Sequence, residues 1–325
     1  MPRGLAQAPA IRALAEDLGI RHAGDAAAAI VAWCQSKVSQ YMNEYGGCDT
    51  SDELLAICAQ KTGTRFEVID SPERLDAVTQ EWVARGEKLF ATLEQEFERG
   101  VLGVTFRLQH PRVWECPFLS VIDARGERKN RAWFTKWHEL GHLLILGKNS
   151  KASFCRTHAA ETMRDPEESL VDRIAGACAF HPDLVRPLAS GVLTFDKLES
   201  IRQRLCPDAS IQSSRLGIVQ AWPRPCLLLE CRHASKRGAD GNTEALRAVK
   251  VLRNDAARRA GTCVFPNMRV PERSVIHKAL GTDAILTAAE NLNWWSSSSG
   301  RTLPYRHVQV HAQGRGEAVE ALISA

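Results

Sequence analysis

His138, Glu139 and His142 spell HExxH within the stretch WFTKWHELGHLLILG, residues 133–147. Residues four apart on a helix share one face. Two imidazoles so placed can grip a single zinc ion while the glutamate beside them acts as general base. The chemistry that follows is metal-assisted hydrolysis. A catalytic zinc keeps three protein ligands and leaves one position for water, so a third ligand has to come from elsewhere in the chain. The metzincin extension does not supply it, because Ile145 stands where that pattern needs Gly and Lys148 where it needs His.

Downstream, Asp165–Phe180 (DPEESLVDRIAGACAF) opens with a capping Asp165, Pro166 at the first helical position and two acids in the first turn. On the helix this predicts, Glu168 and Asp172 are four apart on a face shared with Val171 and Ala175. One carboxylate can bind zinc, and the next can hold a ligand histidine by its other ring nitrogen. The plain alternative is that Glu168 completes a capping box with Asp165, since acids are favoured in a first helical turn in any case. Glu167 and His158 are rival third ligands.

The combination of an FTxxHELGHLL segment (Phe134–Leu144), a loop, and a helix carrying Glu168, Asp172 and small residues up to Pro182 resembles the ImmA/IrrE family of zinc metallopeptidases. The resemblance covers roughly residues 50–188. It departs from the family pattern at Ile174, which stands where a Phe is usual, and in a spacing to the proline that is one residue longer. It implies an α+β fold: a mainly helical, zincin-like metallopeptidase core with a small sheet. It further implies that His138, His142 and Glu168 bind Zn2+ and that Glu139 is the base. The implied function is cleavage of a regulatory protein, such as a helix-turn-helix repressor or an antitoxin-like protein.

The elements that would position these residues follow from pattern. Trp133, Trp137, Leu140 and Leu144 recur at helical spacing with Phe134, Gly141 and Ile145 beside them, so the motif helix is expected to be buried. Asn130 is its expected cap, with Gly147 past its end and Lys148 at the negative pole of its dipole. Gly141 inside it costs about 1 kcal/mol against Ala, which makes sense if another backbone crosses closely there. Thr50–Gly63, followed by Phe66–Ile69, reads as a helical lead-in. Ser71–Gly100 reads as one long amphipathic helix, with Leu75, Val78, Trp82, Leu89, Leu93 and Phe97 on its apolar face. Val104–Leu108 and Phe118–Asp123 read as strands, and the latter is a candidate for pairing with an extended substrate.

Around this core the chain divides into an N-terminal helical segment (1–49), a peptidase domain (50–205) and a C-terminal α+β lobe (206–325) with a regulatory or substrate-selecting role. In the lobe Ser210–Trp222 reads as a helix, CLLLEC, RAVKVLRN, TCVFP and YRHVQVHA as strands, and NWWSSSSG as an exposed loop.

Composition sets outer bounds. The chain has 325 residues, 44% of them hydrophobic, enough for a full core. No apolar run reaches membrane-span length and the first residues lack the apolar core of a signal peptide, so no membrane partner and a cytoplasmic setting are expected. Ten scattered cysteines without a CxxC pair point to reduced thiols. A net charge of +4 is too mild to imply nucleic-acid binding by the whole chain. A basic segment at 232–259 and the Trp294–Trp295 pair keep that option open. The competing function is a non-catalytic, zinc-stabilised regulator or nucleic-acid-binding protein. Glu139 favours the enzyme, because a purely structural zinc site needs no base. His158, Arg173, His181 and Tyr305 are candidate donors to a developing oxyanion.

Overall fold

The computed structural model describes residues 8–21, 24–146, 153–156, 165–235, 244–296 and 302–325. The fold is mixed α+β with two separate sheets. The chain divides into two compact units, one comprising Met1–His181 with Leu205–Ser213 and the other Pro182–Arg204 with Ser214–Ala325. The N-terminal helical segment therefore belongs to the same unit as the HExxH helix.

In the first unit the elements run α1 (Pro9–Asp17), α2 (Ala26–Glu44), α3 (Ser51–Thr62), β1 (Thr64–Ile69), α4 (Pro72–Ala84), α5 (Leu93–Glu98), β2 (Gly103–Arg107), β3 (Phe118–Asp123), α6 (Lys129–Leu144), β4 (Ser153–Arg156) and α7 (Pro166–Ala179). The sheet order is β1-β3-β2-β4, with β1 and β3 parallel and the other pairs antiparallel. Alternation along the strands sorts their side chains. Val104 and Phe106 of β2, with Leu119 and Val121 of β3, join Leu75, Val78, Trp82, Phe90, Leu93 and Phe97 in one apolar cluster. The intervening Thr105 and Ser120 face the other way, towards α6.

Two expectations are corrected here. Ser71–Gly100 is not one helix: α4 ends at Ala84, Gly86 takes a left-handed φ of 93°, and a 3-10 stretch at Lys88–Thr92 leads into α5. The break turns Glu87 inward, where its carboxylate accepts the backbone N–H groups of Gln109 (2.7 Å) and His110 (3.2 Å). It also buries Phe90 and leaves Leu89 exposed, because three residues per turn in place of 3.6 shift the apolar stripe. The second correction concerns β3, which is paired on both sides and has no free edge for an added strand.

The second unit carries α8 (Pro182–Val185), α9 (Phe195–Leu205), α10 (Ile211–Ala221), β5 (Cys226–Ala234), β6 (Ala245–Arg253), α11 (Asp255–Arg259), α12 (Val275–Ala279), β7 (Ile285–Asn291), β8 (His307–Arg315) and β9 (Ala318–Ser324). Its antiparallel sheet has the order β6-β5-β9-β8-β7. TCVFP is not a strand; Val264 packs into the core from a loop, and residues 267–270 run beside β6 through backbone hydrogen bonds. YRHVQVHA gives β8 rather than the last strand, and β7 and β9 arise from segments without a strand reading. Trp295 is buried in this core, at 1% exposure, so it is not a stacking platform, and residues 297–301 of the serine-rich loop lie outside the described residues.

Candidate metal centre

The connection from β3 into α6 is set by one carboxylate. Asp123, fully buried at the end of β3, accepts the Arg125 backbone N–H (3.1 Å), pairs in a fork with the Arg125 guanidinium (2.9 Å to each oxygen) and also pairs with Arg128. A 3-10 turn, Gly126–Arg128, then passes directly into α6. Asn130 consequently lies within the helix, not at its cap. Downstream, Trp133 donates its indole N–H to Asp52 (2.8 Å), tying α6 to the start of α3. Gly141 meets α7: a Cβ there would lie 3.0 Å from Val171 Cγ1 and 3.4 Å from the Val171 carbonyl oxygen. The close crossing anticipated for this glycine is therefore made by α7. Gly147 and Lys148 lie outside the described residues.

That crossing brings α7 carboxylates onto the histidine face. His138 Nε2 lies 3.0 Å from Glu168 Oε2 and 3.2 Å from His142 Nε2, and His142 Nε2 lies 3.4 Å from Glu168 Oε1. His138 Nδ1 stands 2.9 Å from Asp172 Oδ1. An ionised carboxylate only accepts, so Nδ1 carries the proton and Nε2 of a neutral ring presents its lone pair. Electron-rich atoms then face each other, an arrangement a cation relieves. The edges agree with one: ligand atoms about 2.0–2.1 Å from a tetrahedral zinc stand roughly 3.3 Å apart. His138, His142 and Glu168 thus form a group that could hold a metal ion.

The electrostatics keep Glu168 anionic. Burial disfavours its charge, but where the rings carry a proton on Nε2, hydrogen bonding to His138 and then to His142 outweighs this and holds the carboxyl down to about 2. The histidines are buried, whereas the Glu168 and Asp172 side chains are 29% and 28% exposed, so the group is accessible from the α7 side.

Glu139 occupies a different environment. Its side chain is buried, Oε2 accepts the Thr105 hydroxyl (2.8 Å), and Oε1 is without a hydrogen-bond partner among the described residues. Burial pushes its carboxyl up, opposed by the two histidines and by Thr105. A buried carboxyl so placed, with one unsatisfied oxygen, has the chemistry to take up a proton.

The remaining candidates separate. Glu167 is exposed and its backbone N–H bonds Asp165 (2.9 Å), so the acid in the histidine group is Glu168. Asp165 caps through Glu167, and the carboxylate of Glu168 is directed to the histidines. His181 faces α2, with Nε2 3.1 Å from the Gln35 carbonyl and 3.4 Å from Ser39 Oγ. Tyr305 bonds His307 (2.7 Å) in the second unit. Arg173 lies on α7, half-buried, and His158 is outside the described residues. In the basic segment, Arg232 and Lys250 both pair with Glu230, Arg258 pairs with Asp255, and Arg247 is buried, donating to the Ala234 and Asn267 carbonyls. Lys236, Arg237 and Asp240 lie outside the described residues. Gly103 and Thr105, which lie against Glu139, and Ser120 and Thr64, bonded in turn behind Thr105, escaped the sequence reading. Their one signal is small or hydroxyl residues at inward positions of otherwise apolar strands.

Among the described residues no helix is long and apolar enough to cross a membrane. No family model and no curated protein matches the chain. Among solved structures, a Mycobacterium tuberculosis transcriptional regulator aligns with a TM-score of 0.41 and 10% identity, over 97% of this chain and 80% of that one. A likeness of that size carries no argument about function.

Proposed function

We propose that the protein is a zinc-dependent endopeptidase of the ImmA/IrrE type that cleaves a regulatory protein. The observation carrying this reading is the convergence of His138 Nε2, His142 Nε2 and the Glu168 carboxylate at 3.0–3.4 Å, with a buried glutamate between the histidines in sequence. Zinc, when bound by these three residues, lowers the pKa of a water towards about 7 and polarises a scissile carbonyl. Asp172 fixes the His138 tautomer that directs Nε2 at the site. Glu139 takes the proton of the attacking water and delivers it to the leaving amine. Thr105 holds the Glu139 side chain in place through both transfers. The ligand set of two histidines and a glutamate favours zinc over harder cations, which prefer all-oxygen sites.

The test is metal content and cleavage measured together. The purified protein should hold about one zinc and hydrolyse casein or a co-expressed helix-turn-helix repressor. His138→Ala or His142→Ala should lose both properties, and Glu139→Gln should keep the metal and lose turnover. Undiminished proteolysis by Glu139→Gln would overturn the mechanism.

A further inference from the structure

Behind Glu139 runs a line of three buried hydroxyls, one from each of three adjacent strands. Thr105 Oγ1 on β2 lies 2.8 Å from Glu139 Oε2, Ser120 Oγ on β3 lies 2.7 Å from Thr105 Oγ1, and Thr64 Oγ1 at the start of β1 lies 3.2 Å from Ser120 Oγ. Their residue exposures are 0%, 0% and 3%. Proton counting gives the line a direction. The ionised carboxylate accepts, so Thr105 donates to Glu139, and with one proton per hydroxyl Ser120 donates to Thr105, while the Thr64 hydroxyl lies within reach of both Ser120 Oγ and the Arg65 carbonyl (3.4 Å). The Ser120 and Thr105 donors point towards one oxygen, and hydrogen bonds in such a series polarise one another.

The same strand fixes the other oxygen by shape. Gly103 and Thr105 are two apart on β2 and face α6 together. A Cβ at Gly103 would lie 2.8 Å from Glu139 Oε1, 3.2 Å from its Cδ and 2.7 Å from Thr135 Cγ2. Gly103 has no left-handed φ, so its lack of a side chain serves space and not backbone conformation. Strand β2 therefore bonds one carboxylate oxygen and closes on the other.

We propose that Gly103, Thr105 and Ser120, with Thr64 behind them, are positioning residues that lock the Glu139 carboxylate in a single orientation. This rests on the peptidase reading, in which Glu139 carries the proton. An apolar sheet face would hold α6 equally well by packing but would leave a buried carboxylate without a donor. None of these residues belongs to the metal-binding group, so their effect separates from zinc binding.

Four variants test the proposal: Thr105→Val, which keeps the shape and removes the donor; Thr105→Ser, which keeps the donor; Ser120→Ala; and Gly103→Ala. With casein as probe, Thr105→Val and Gly103→Ala should keep about one zinc per chain and an unchanged KM while losing about 10- to 100-fold in kcat. Thr105→Ser should stay within about threefold of wild type and Ser120→Ala should fall between. Independently of turnover, thermal unfolding of metal-stripped wild type, Thr105→Val, Glu139→Gln and the double variant should show coupling between the two positions. Absence of coupling would overturn the contact, and coupling with an unchanged kcat in Thr105→Val would overturn the positioning role. A wild-type protein that holds zinc but cleaves neither casein nor a co-expressed helix-turn-helix repressor would overturn the peptidase reading, and the positioning role with it; the unfolding cycle would still report on the hydrogen bond itself.

Discussion

Asp172 stands on the far side of His138 from the converging donor atoms, and its contact with Nδ1 decides which nitrogen is free for a metal. Removing it leaves the ring able to rotate or change tautomer, so Asp172→Ala should weaken zinc binding by about 10- to 100-fold, measured by competition with a chromophoric chelator. Its neighbours separate more sharply. Glu168→Ala should lose zinc, whereas Glu167→Ala should retain it, because only the former carboxylate reaches both histidines. Loss of zinc from Glu167→Ala alone would displace Glu168 from the site. At this scale the sequence is informative where chemistry is dense in one segment. HExxH and the Glu168–Asp172 pair each lie within a single helical turn, so their spacing is itself the geometry. Thr105 and Ser120 are fifteen positions apart and meet only through antiparallel register, and a threonine on a strand is otherwise an ordinary strand residue.

The element that bears the site is oriented by the turn that precedes it. Burial alone would raise the Asp123 carboxyl, but hydrogen bonds from Arg125 and Arg128 outweigh it and hold the group below its ordinary value. A carboxylate with a depressed folded value stabilises the protein above the unfolded value, near 3.9, and that stabilisation is lost as pH falls through the folded value. Wild-type stability should therefore drop steeply below about pH 4. Asp123→Asn should cost about 1–3 kcal/mol at neutral pH and show a flatter acid limb, read by thermal unfolding at several pH values. Equal acid sensitivity in both proteins would remove Asp123 from the account. The element starts legible beforehand were those with strong end signals, Ser71–Pro72 at α4 and Asp165–Pro166 at α7, and the structure adds a reciprocal Thr50–Glu53 box at the start of α3. The single helix expected over residues 71–100 failed because apolar spacing continues through Gly86, and periodicity does not register one left-handed residue. Strands β7 and β9 (ILTAAEN and AVEALIS) escaped because alanine, leucine and glutamate suit a helix as well as a strand, leaving their sheet partners to decide.

Across the whole molecule the chain leaves the first unit after His181, returns at Leu205 and departs again after Ser213. A sequence division at residue 205 places α9 with the peptidase core, yet α9 belongs with the second unit, where Phe195, Leu198 and Ile201 are buried. A chain ending after Pro207 should therefore keep the His138, His142 and Glu168 group but expose that apolar face, binding a dye such as ANS and aggregating more readily than the full-length protein. Metal content, dye binding and light scattering of the two proteins would check this; equal behaviour would mean that α9 finds other cover. Composition marks a change of character near residue 206 but carries no record of which neighbours a helix will choose, and this is why the allegiance of α9 was not legible. The interleaving also bears on inheritance. A catalytic unit that forms one contiguous stretch can be fused to new partners by a single crossover in its gene. Here any crossover between residues 182 and 213 splits segments that fold with different halves. New sensing or targeting modules should accordingly be acquired at the ends of this chain, and the 182–213 segment should pass between descendants as a block.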